Sequence, residues 1–258
     1  MPGNASTERP PRGAAIFATC LAETLLPEVG RAVETLLERL GLNPHFPPRQ
    51  VCCGQSLFKA GHPRQAARAG AAWVRAFRGA EVIVSPSGSC VAHVRKHLPG
   101  LLTGRPDLAA QARALAARTF ELSEFLVRVL GRTDLGAHAP GAPWAYHPSC
   151  GLHRALGEDE APYLLLNALA GEKPLPLAEA QRCCGFGGPF SVSHPEISGG
   201  MLAQKLKSAR QARARVLVVG DVGCLLHLSC GAREQAPELQ VLHLAQILAG
   251  VAGPEAGR

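Results

Sequence analysis

The sequence predicts a protein of the α/β class, with two similar layered domains that contain parallel sheets and are related by internal duplication. Three observations predict it: a repeat of about 130 residues, short apolar runs that end near cysteines, and helical spacing of apolar residues between those runs. Strands that alternate with helices favour parallel pairing, because each helix returns the chain to the same edge of the sheet.

The repeat is defined by cysteines. Each unit contains an apolar run that ends in cysteine, a helical stretch, a Cys-Cys-Gly triplet, a second helical stretch and another apolar run that ends in cysteine. The matched pairs are Cys20 and Cys150, Cys52 and Cys183, Cys53 and Cys184, and Cys90 and Cys224. Smaller matches in the same register are Gly54 with Gly185, His62 and Pro63 with His194 and Pro195, and His93 with His227. Cys230 has no counterpart, and we expect it to be a small buried residue.

The elements follow from the apolar pattern of each unit. Runs of strand length precede Cys20, Cys90, Cys150 and Cys224, and the first predicted helix extends to Leu40. The two His-Pro pairs are interpreted as helix starts without a chemical role. A helix over about 107–130 should close the first unit, and residues 131–143 form the predicted linker. The predicted organisation is a flexible tail at 1–13, a first cysteine-rich domain at 14–137 and a second at 138–258, both Rossmann-like.

Composition narrows the class of function. The net charge of +7 is spread along the chain without a dense basic block, so nucleic acid is not an expected partner. The N-terminal residues lack the apolar run of a secretory signal, and the most apolar stretch, Val216 to Leu228, is too short and too polar to cross a bilayer. We therefore expect a cytoplasmic protein without a membrane span. Because the cytosol keeps thiols reduced, nine cysteines indicate metal binding or catalysis.

The repeated cysteines are candidate metal ligands. Four thiolates converging on one site select iron-sulfur clusters, zinc or copper(I). Adjacent cysteines point in different directions, so both can bind one site where it is large, as a multi-iron cluster is, or where the backbone bends sharply. Gly54 and Gly185 follow the two pairs, where such a bend is easiest, and Gly185, Gly187 and Gly188 can bring backbone amides close to sulfur.

Two histidines are further candidates. His93 and His227 lie three residues after Cys90 and Cys224, so each would share a helix face with its cysteine and could supply a fifth ligand. The alternative is a histidine that is hydrogen-bonded nearby and never binds metal. Two other functions stay open: a zinc-binding structural or scaffold module of a redox complex, and a thiol-disulfide reductase that uses a vicinal pair.

Two Cys-Cys-Gly units in the surroundings VCCGQ, SPSGSC, RCCGFGGPFSVSHPEIS and DVGC resemble the cysteine-rich domain family. The sequence is most similar to the lactate-utilisation protein A family of bacteria, over about residues 14–250, and more distantly to the B subunit of heterodisulfide reductase and the iron-sulfur subunit of glycolate oxidase. In heterodisulfide reductase the corresponding motif binds a noncubane 4Fe-4S cluster and ends in Cys-x-x-Cys. Here His93 and His227 stand in place of that final cysteine. Four cysteines per unit leave an ordinary 4Fe-4S cluster, in one unit or in both, as the implied cofactor.

The resemblance implies a part in oxidising L-lactate to pyruvate, or a similar 2-hydroxy acid, together with partner proteins. The sequence contains neither a ferredoxin-like Cys-x2-Cys-x2-Cys-x3-Cys-Pro run nor a dinucleotide Gly-x-Gly-x-x-Gly fingerprint. We therefore expect an electron-transfer subunit that is not an autonomous enzyme and that works with other subunits, including a ferredoxin-type iron-sulfur protein.

Overall fold

Two parallel β-sheets form the centre of the protein in a computed structural model that describes residues 11–251. The first has four strands in the order β2-β1-β3-β4 and the second has three in the order β5-β6-β7. The strands are β1 (Gly13–Ile16), β2 (Asn43–His45), β3 (Ile83–Ser85), β4 (Thr119–Glu121), β5 (Trp144–His147), β6 (Val216–Val219) and β7 (Gln240–His243). The predicted α/β class, duplication and parallel sheets are confirmed. The predicted tail lies mostly outside the described residues.

Helices cover the sheets in both halves. In the first half they are α1 (Cys20–Leu25), α2 (Pro27–Arg39), α3 (Gln55–Lys59), α4 (Pro63–Ala76), α5 (Gly88–Lys96), α6 (Leu98–Leu101), α7 (Pro106–Ala116) and α8 (Leu122–Glu124), which continues as a π-helix, π1 (Phe125–Val129). In the second half they are a π-helix, π2 (Gly151–Leu156), then α9 (Glu160–Ala168), α10 (Phe190–Ser193), α11 (Pro195–Gln211), α12 (Val222–Gln235) and α13 (Leu244–Ala249). Among residues 11–251, no helix is both long and apolar enough to cross a membrane.

The strands before the cysteines and the His-Pro helix starts are confirmed. His62 and His194 are the N-caps of α4 and α11, and each is followed by proline at the first helical position. The single helix expected over 107–130 is wrong, because β4 interrupts it. Thr119 pairs with Ile83 of β3, and the Glu121 carboxylate caps a new helix at α8. The predicted linker at 131–143 contains one isolated bridge, from His138 to Ala170, and the domain boundary stays a prediction.

The two halves interlock. Helix α13 from the second half packs on α2 of the first, and α8 with π1 from the first half packs on α9 of the second. The larger apolar cluster accordingly contains buried side chains from both halves, among them Leu37 and Leu248. A smaller cluster belongs to the first half alone and is built around an aromatic group in which Phe17 meets Trp73 edge to face at 5.5 Å.

A very close backbone approach joins the halves near the cysteines. Helix α5 packs on π2, where a Cβ on Gly151 would stand 2.6 Å from the Ser89 nitrogen and a Cβ on Gly88 would stand 3.0 Å from the Leu152 nitrogen. Residues larger than glycine would force the two segments apart. Ser89 precedes Cys90 and Gly151 follows Cys150, and both of these cysteines line the same cavity.

Candidate metal centre

The eight repeated cysteines line one cavity between the halves, with a volume of about 320 Å³. Cys20, Cys90, Cys150 and Cys224 follow strands β1, β3, β5 and β6, and the carboxyl ends of parallel strands meet at one edge of a sheet. The Cys-Cys-Gly triplets reach the same edge from the loops before α3 and α10. The fold therefore gathers residues that are far apart in the sequence into two facing groups of four thiols.

In the first half the four thiols form a hydrogen-bonded chain in the order Cys20, Cys52, Cys53, Cys90. Hydrogen bonds from the thiols of Cys20 and Cys53 hold the pKa of Cys52 well below its usual range. The hydrogen bond with Cys52, together with burial, raises the pKa of Cys20. The pKa of Cys53 is raised by its hydrogen bonds with Cys52 and Cys90 and by burial. Within the first set, Cys52 is therefore the thiol whose ionised form its neighbours favour most.

The second half repeats this chain as Cys150, Cys183, Cys184, Cys224. The Sγ atoms of Cys150 and Cys183 are 3.8 Å apart, and those of Cys184 and Cys224 are 3.3 Å apart. Hydrogen bonds from Cys150 and Cys184 hold the pKa of Cys183 well below its usual range. The two sets match residue for residue, so each half can present a soft, four-sulfur site to a metal.

The vicinal cysteines point in different directions, as their exposure indicates. Cys52 and Cys183 are partly exposed, whereas Cys53 and Cys184 are only 2% and 1% exposed. Each pair therefore offers one sulfur near the cavity mouth and one in the interior. Donors in this arrangement fit a metal group that is larger than one ion.

The glycine after each pair makes the bend. Gly54 has φ of 91° and Gly185 has φ of 99°, which is the left-handed region that favours glycine. A Cβ at either position would stand 2.7 Å from a backbone oxygen, of Ala66 in the first case and of Ser198 in the second. Each glycine amide donates to the first sulfur of its pair at 3.4 Å, from Gly54 to Cys52 and from Gly185 to Cys183. The bend thus also supplies an amide donor to the low-pKa thiolate.

The loop after the second pair continues along the cavity. Gly187 and Gly188 have φ of 59° and 68° and both line the cavity. Because neither has a side chain, their backbone is free to approach a ligand there. The loop glycines were predicted to bring backbone amides close to sulfur. The Gly185 amide donates to the Cys183 sulfur, Gly187 and Gly188 lie beside the cavity, and the role of these glycines toward a cofactor stays a prediction.

His93 and His227 are not among the residues that line the cavity. His93 is buried on α5 beside the rings of Phe58, at 5.6 Å, and His97, at 5.7 Å, and burial lowers its pKa to about 4. His227 lies 3.3 Å, through Nε2, from the hydroxyl of Ser198, which donates to the Gly185 carbonyl at 3.0 Å. His227 therefore supports the loop that carries Cys183 and Cys184, and metal binding by either histidine stays a prediction.

One histidine at the site escaped the sequence analysis. His147 ends β5 and is fully buried, with a ring nitrogen within 4.8 Å of the sulfurs of both Cys184 and Cys224. Its Nδ1 lies 3.3 Å from the Ala180 carbonyl oxygen. The spacing contains a signal, since His147 precedes Cys150 by three residues, but the repeat does not indicate it because its counterpart is Phe17.

Asp221 was also missed. Its carboxylate is 4% exposed and accepts three hydrogen bonds, from the Ser87 hydroxyl at 2.9 Å, the Ser89 amide at 3.0 Å and the Gly223 amide at 2.9 Å. The first two cross from one half to the other, and the third caps α12, the helix that carries Cys224. Ser87 and Asp221 occupy the same position of the repeat and face each other across the interface.

The expectation that Cys230 is buried is wrong, because its side chain is exposed. It lies six residues after Cys224 on α12, and at 100° per residue this turns it roughly 120° away from the face that meets the cavity. Cys230 is thus separate from the eight matched cysteines.

Comparison with known proteins finds the same repeat. A model of the cysteine-rich CCG domain matches residues 14–95 and again 144–229. The chain is 41% identical over 233 residues to the lactate utilization protein A of Bacillus pumilus (strain SAFR-032), covering 90% of this chain and 97% of the relative. It is 42% identical over 236 residues to the lactate utilization protein A of Exiguobacterium sp. (strain ATCC BAA-1283 / AT1b), covering 91% and 96%. The similarity thus spans both halves and the cavity between them.

Proposed function

Since the chain belongs to the cysteine-rich CCG domain family and, within it, to the lactate utilization protein A family, we propose that it is an iron-sulfur electron-transfer subunit of a complex that oxidises L-lactate to pyruvate or a similar 2-hydroxy acid. The observation that carries the proposal is the pair of matched four-thiol sets that face one cavity. Under it, the domains at 14–137 and 138–258 each contribute one site.

The donor set fits an iron-sulfur cluster. Four soft sulfur donors per half, with one sulfur of each vicinal pair inside and one near the mouth, match a group whose ligands are spread over several irons. The ligands would be Cys20, Cys52, Cys53 and Cys90 in one half and Cys150, Cys183, Cys184 and Cys224 in the other. A 4Fe-4S cluster bound there would accept and release single electrons.

The residues of the chain prepare the site for such a group. The amides of Gly54 and Gly185 donate to Cys52 and Cys183, which stabilises thiolate charge. Burial of Cys53 and Cys184 excludes water from the inner side of each set. Cys20 is exposed, so the cavity stays open to solvent on one side and can receive iron and sulfide.

The proposal includes partners. Oxidation of L-lactate to pyruvate removes two electrons and two protons, so it requires an acceptor beyond the thiols of this chain. The relatives are named for lactate utilization, and the sequence has no dinucleotide fingerprint of its own. We therefore assign substrate oxidation to a partner, place a ferredoxin-type iron-sulfur protein among the other subunits, and locate the complex in the cytoplasm.

Zinc is the second candidate, and one distance favours it. The sulfurs of Cys184 and Cys224 are 3.3 Å apart, close to the spacing of about 3.8 Å between two thiolates on one tetrahedral zinc ion. With His147 within 4.8 Å, the second half could hold a single ion. Zinc does not change its oxidation state, so the chain would then be a structural module of a redox complex.

Metal analysis separates the two candidates. We expect protein purified without oxygen to contain iron and acid-labile sulfide in equal amounts, about four of each per chain for one cluster or about eight for two, with absorption at about 400 nm. Stoichiometric zinc without visible absorption would overturn the iron-sulfur proposal and support a structural role.

Variants in each half test whether both sites are loaded. Cys53→Ser and Cys184→Ser each remove one buried ligand, so each should remove the iron of its own half, about half of the total if both are loaded. Cys230→Ser is the matched control, because that cysteine is exposed and outside the cavity, and it should keep the full iron content. Full iron in both ligand variants would contradict the proposed ligand sets.

A further inference from the structure

The two four-thiol sets match, but the residues behind them do not. In the first half, Phe17, directly after β1, packs against Trp73 of α4, with ring centroids 5.5 Å apart. In the second half, the corresponding positions at the end of β5 and on α11 are His147 and Lys205. An aromatic pair in one half is therefore replaced by two basic side chains in the other, and both are buried.

The hydrogen bonds of His147 leave one ring nitrogen available. Nδ1 faces the Ala180 carbonyl oxygen at 3.3 Å, which is an acceptor only, so Nδ1 carries the proton and Nε2 presents a lone pair. Nε2 is buried and, within residues 11–251, has no hydrogen-bond partner. A histidine that donates one ring N–H to a backbone carbonyl and directs the other nitrogen inward has the arrangement of metal-bound histidines.

Lys205 secures the carbonyl that orients the ring. Its ammonium group, on a residue only 1% exposed, donates to the Ala180 oxygen at 3.0 Å and to the Glu179 oxygen at 2.9 Å. The segment before Cys183 is thereby tied to α11. This bonding fixes the acceptor of His147 Nδ1, and with it the orientation of the imidazole toward Cys184 and Cys224.

We infer that His147 is a fifth donor of the second metal site, binding through Nε2 beside Cys150, Cys183, Cys184 and Cys224, whereas the first site has sulfur donors alone from its four cysteines. The inference rests on the proposed function, because it concerns the metal group held by the second set. Imidazole is a suitable ligand for iron and for zinc. Both sites keep four thiolates, so the added nitrogen donor is what distinguishes the second site from the first.

The test uses the metal-loaded full chain, prepared with ordinary and with ¹⁵N-labelled histidine and reduced to a paramagnetic state. Pulsed electron paramagnetic resonance should detect a strongly coupled nitrogen whose signal changes on ¹⁵N-histidine labelling. His147→Phe, which installs the residue found at position 17, should lose that coupling and change the midpoint potential of the second site. The second site is identified as the one lost in Cys184→Ser.

Matched controls make the assignment specific. His227→Ala should keep the nitrogen coupling, because the Nε2 of that histidine is already engaged by Ser198. A coupling that disappears in His227→Ala and persists in His147→Phe would overturn the inference. So would a loaded protein without any histidine coupling and with an unchanged potential in His147→Phe. The isotope experiment needs no substitution, so the absence of any histidine coupling would overturn the inference even if a variant fails to load.

Failure of the proposed function gives a different result. If the protein contains zinc and no iron, X-ray absorption at the zinc edge should find a nitrogen donor in addition to sulfur, and His147→Phe should remove it. Sulfur-only zinc would overturn the histidine assignment as well. A protein that binds neither metal would overturn both the inference and the proposed function.

Discussion

Asp221 is expected to stabilise the contact between the halves more than any single neighbouring polar group. Its carboxylate accepts two hydrogen bonds from the other half, from the Ser87 hydroxyl and the Ser89 amide, and one from Gly223 at the start of α12. A hydrogen bond to a charged group contributes about 1.5–3 kcal/mol and a helix cap about 1 kcal/mol. Asp221→Ala should therefore lower the free energy of unfolding by about 4 kcal/mol.

Thermal unfolding of metal-loaded protein, compared at equal metal content, measures this loss. For a chain of this size each kcal/mol lowers Tm by about 2–4 °C, so Asp221→Ala should lower Tm by about 10 °C. Ser87→Ala removes one of the two hydrogen bonds that Asp221 accepts from the first half, and it should lower Tm by about 5 °C. Because both single variants lose the same bond, the double variant should be less destabilised than the sum of the two.

Ser89→Ala is the control for this experiment. It keeps the backbone amide that donates to Asp221 and removes only a hydroxyl contact with Ser87 at 3.2 Å, so its Tm should fall by less than about 3 °C. A Tm decrease in Asp221→Ala as small as that of the control would refute the reasoning. Strictly additive effects of the Asp221 and Ser87 substitutions would refute the direct bond between them.

Two further predictions concern the buried residues Glu121 and Gly151. Burial raises the pKa of Glu121 to about 8, so the folded state holds a proton that the unfolded state releases above about pH 4.5. The free energy of unfolding therefore decreases as the pH rises from about 4.5 to about 8, by roughly 5 kcal/mol at most. Glu121→Gln should remove this pH dependence of stability. Parallel pH profiles of Tm between pH 5.5 and 8.5 for the two proteins would contradict this. Gly151→Ala should destabilise the folded protein by at least about 2 kcal/mol, because its Cβ would collide with the Ser89 backbone. The control is Gly200→Ala on α11, whose Cβ would meet nothing within 4 Å and which should stabilise the folded protein slightly. Urea midpoints that rank these two variants in the opposite order would contradict the close approach of α5 and π2.

The repeat made much of the fold predictable. Apolar runs before cysteines have a length and composition that only strands satisfy in this context, and the His-Pro pairs mark helix starts because proline suits the first turn. Strands β2 and β4 were not predicted from the sequence, because they are three residues long and carry polar side chains, such as Asn43 and Glu121. Their strand conformation comes from pairing with β1 and β3, which no local pattern in the sequence reports.

The site was predictable where it is repeated and was missed where the halves differ. Matched cysteines and glycines were found by comparing one unit with the other. His147 and Asp221 align with Phe17 and Ser87 in the repeat, so a comparison of the two units does not identify them as site residues. Their roles depend on contacts across the interface or on a backbone carbonyl distant in sequence, and such contacts exist only in the folded chain.

The two duplicated units follow one another in the sequence, and in the structure they pack together around a shared apolar cluster. If each unit folded on its own, the last helix of each would cover its own sheet. Instead α13 covers α2 and α8 with π1 covers α9, so each unit provides apolar surface that the other lacks. The cavity lies at the same interface, where Gly151 and Ser89 bring the backbones together and Asp221 binds across. Separation of the halves would therefore expose the core and divide the two cysteine sets, which explains why residues at the interface carry both stability and the geometry of the site.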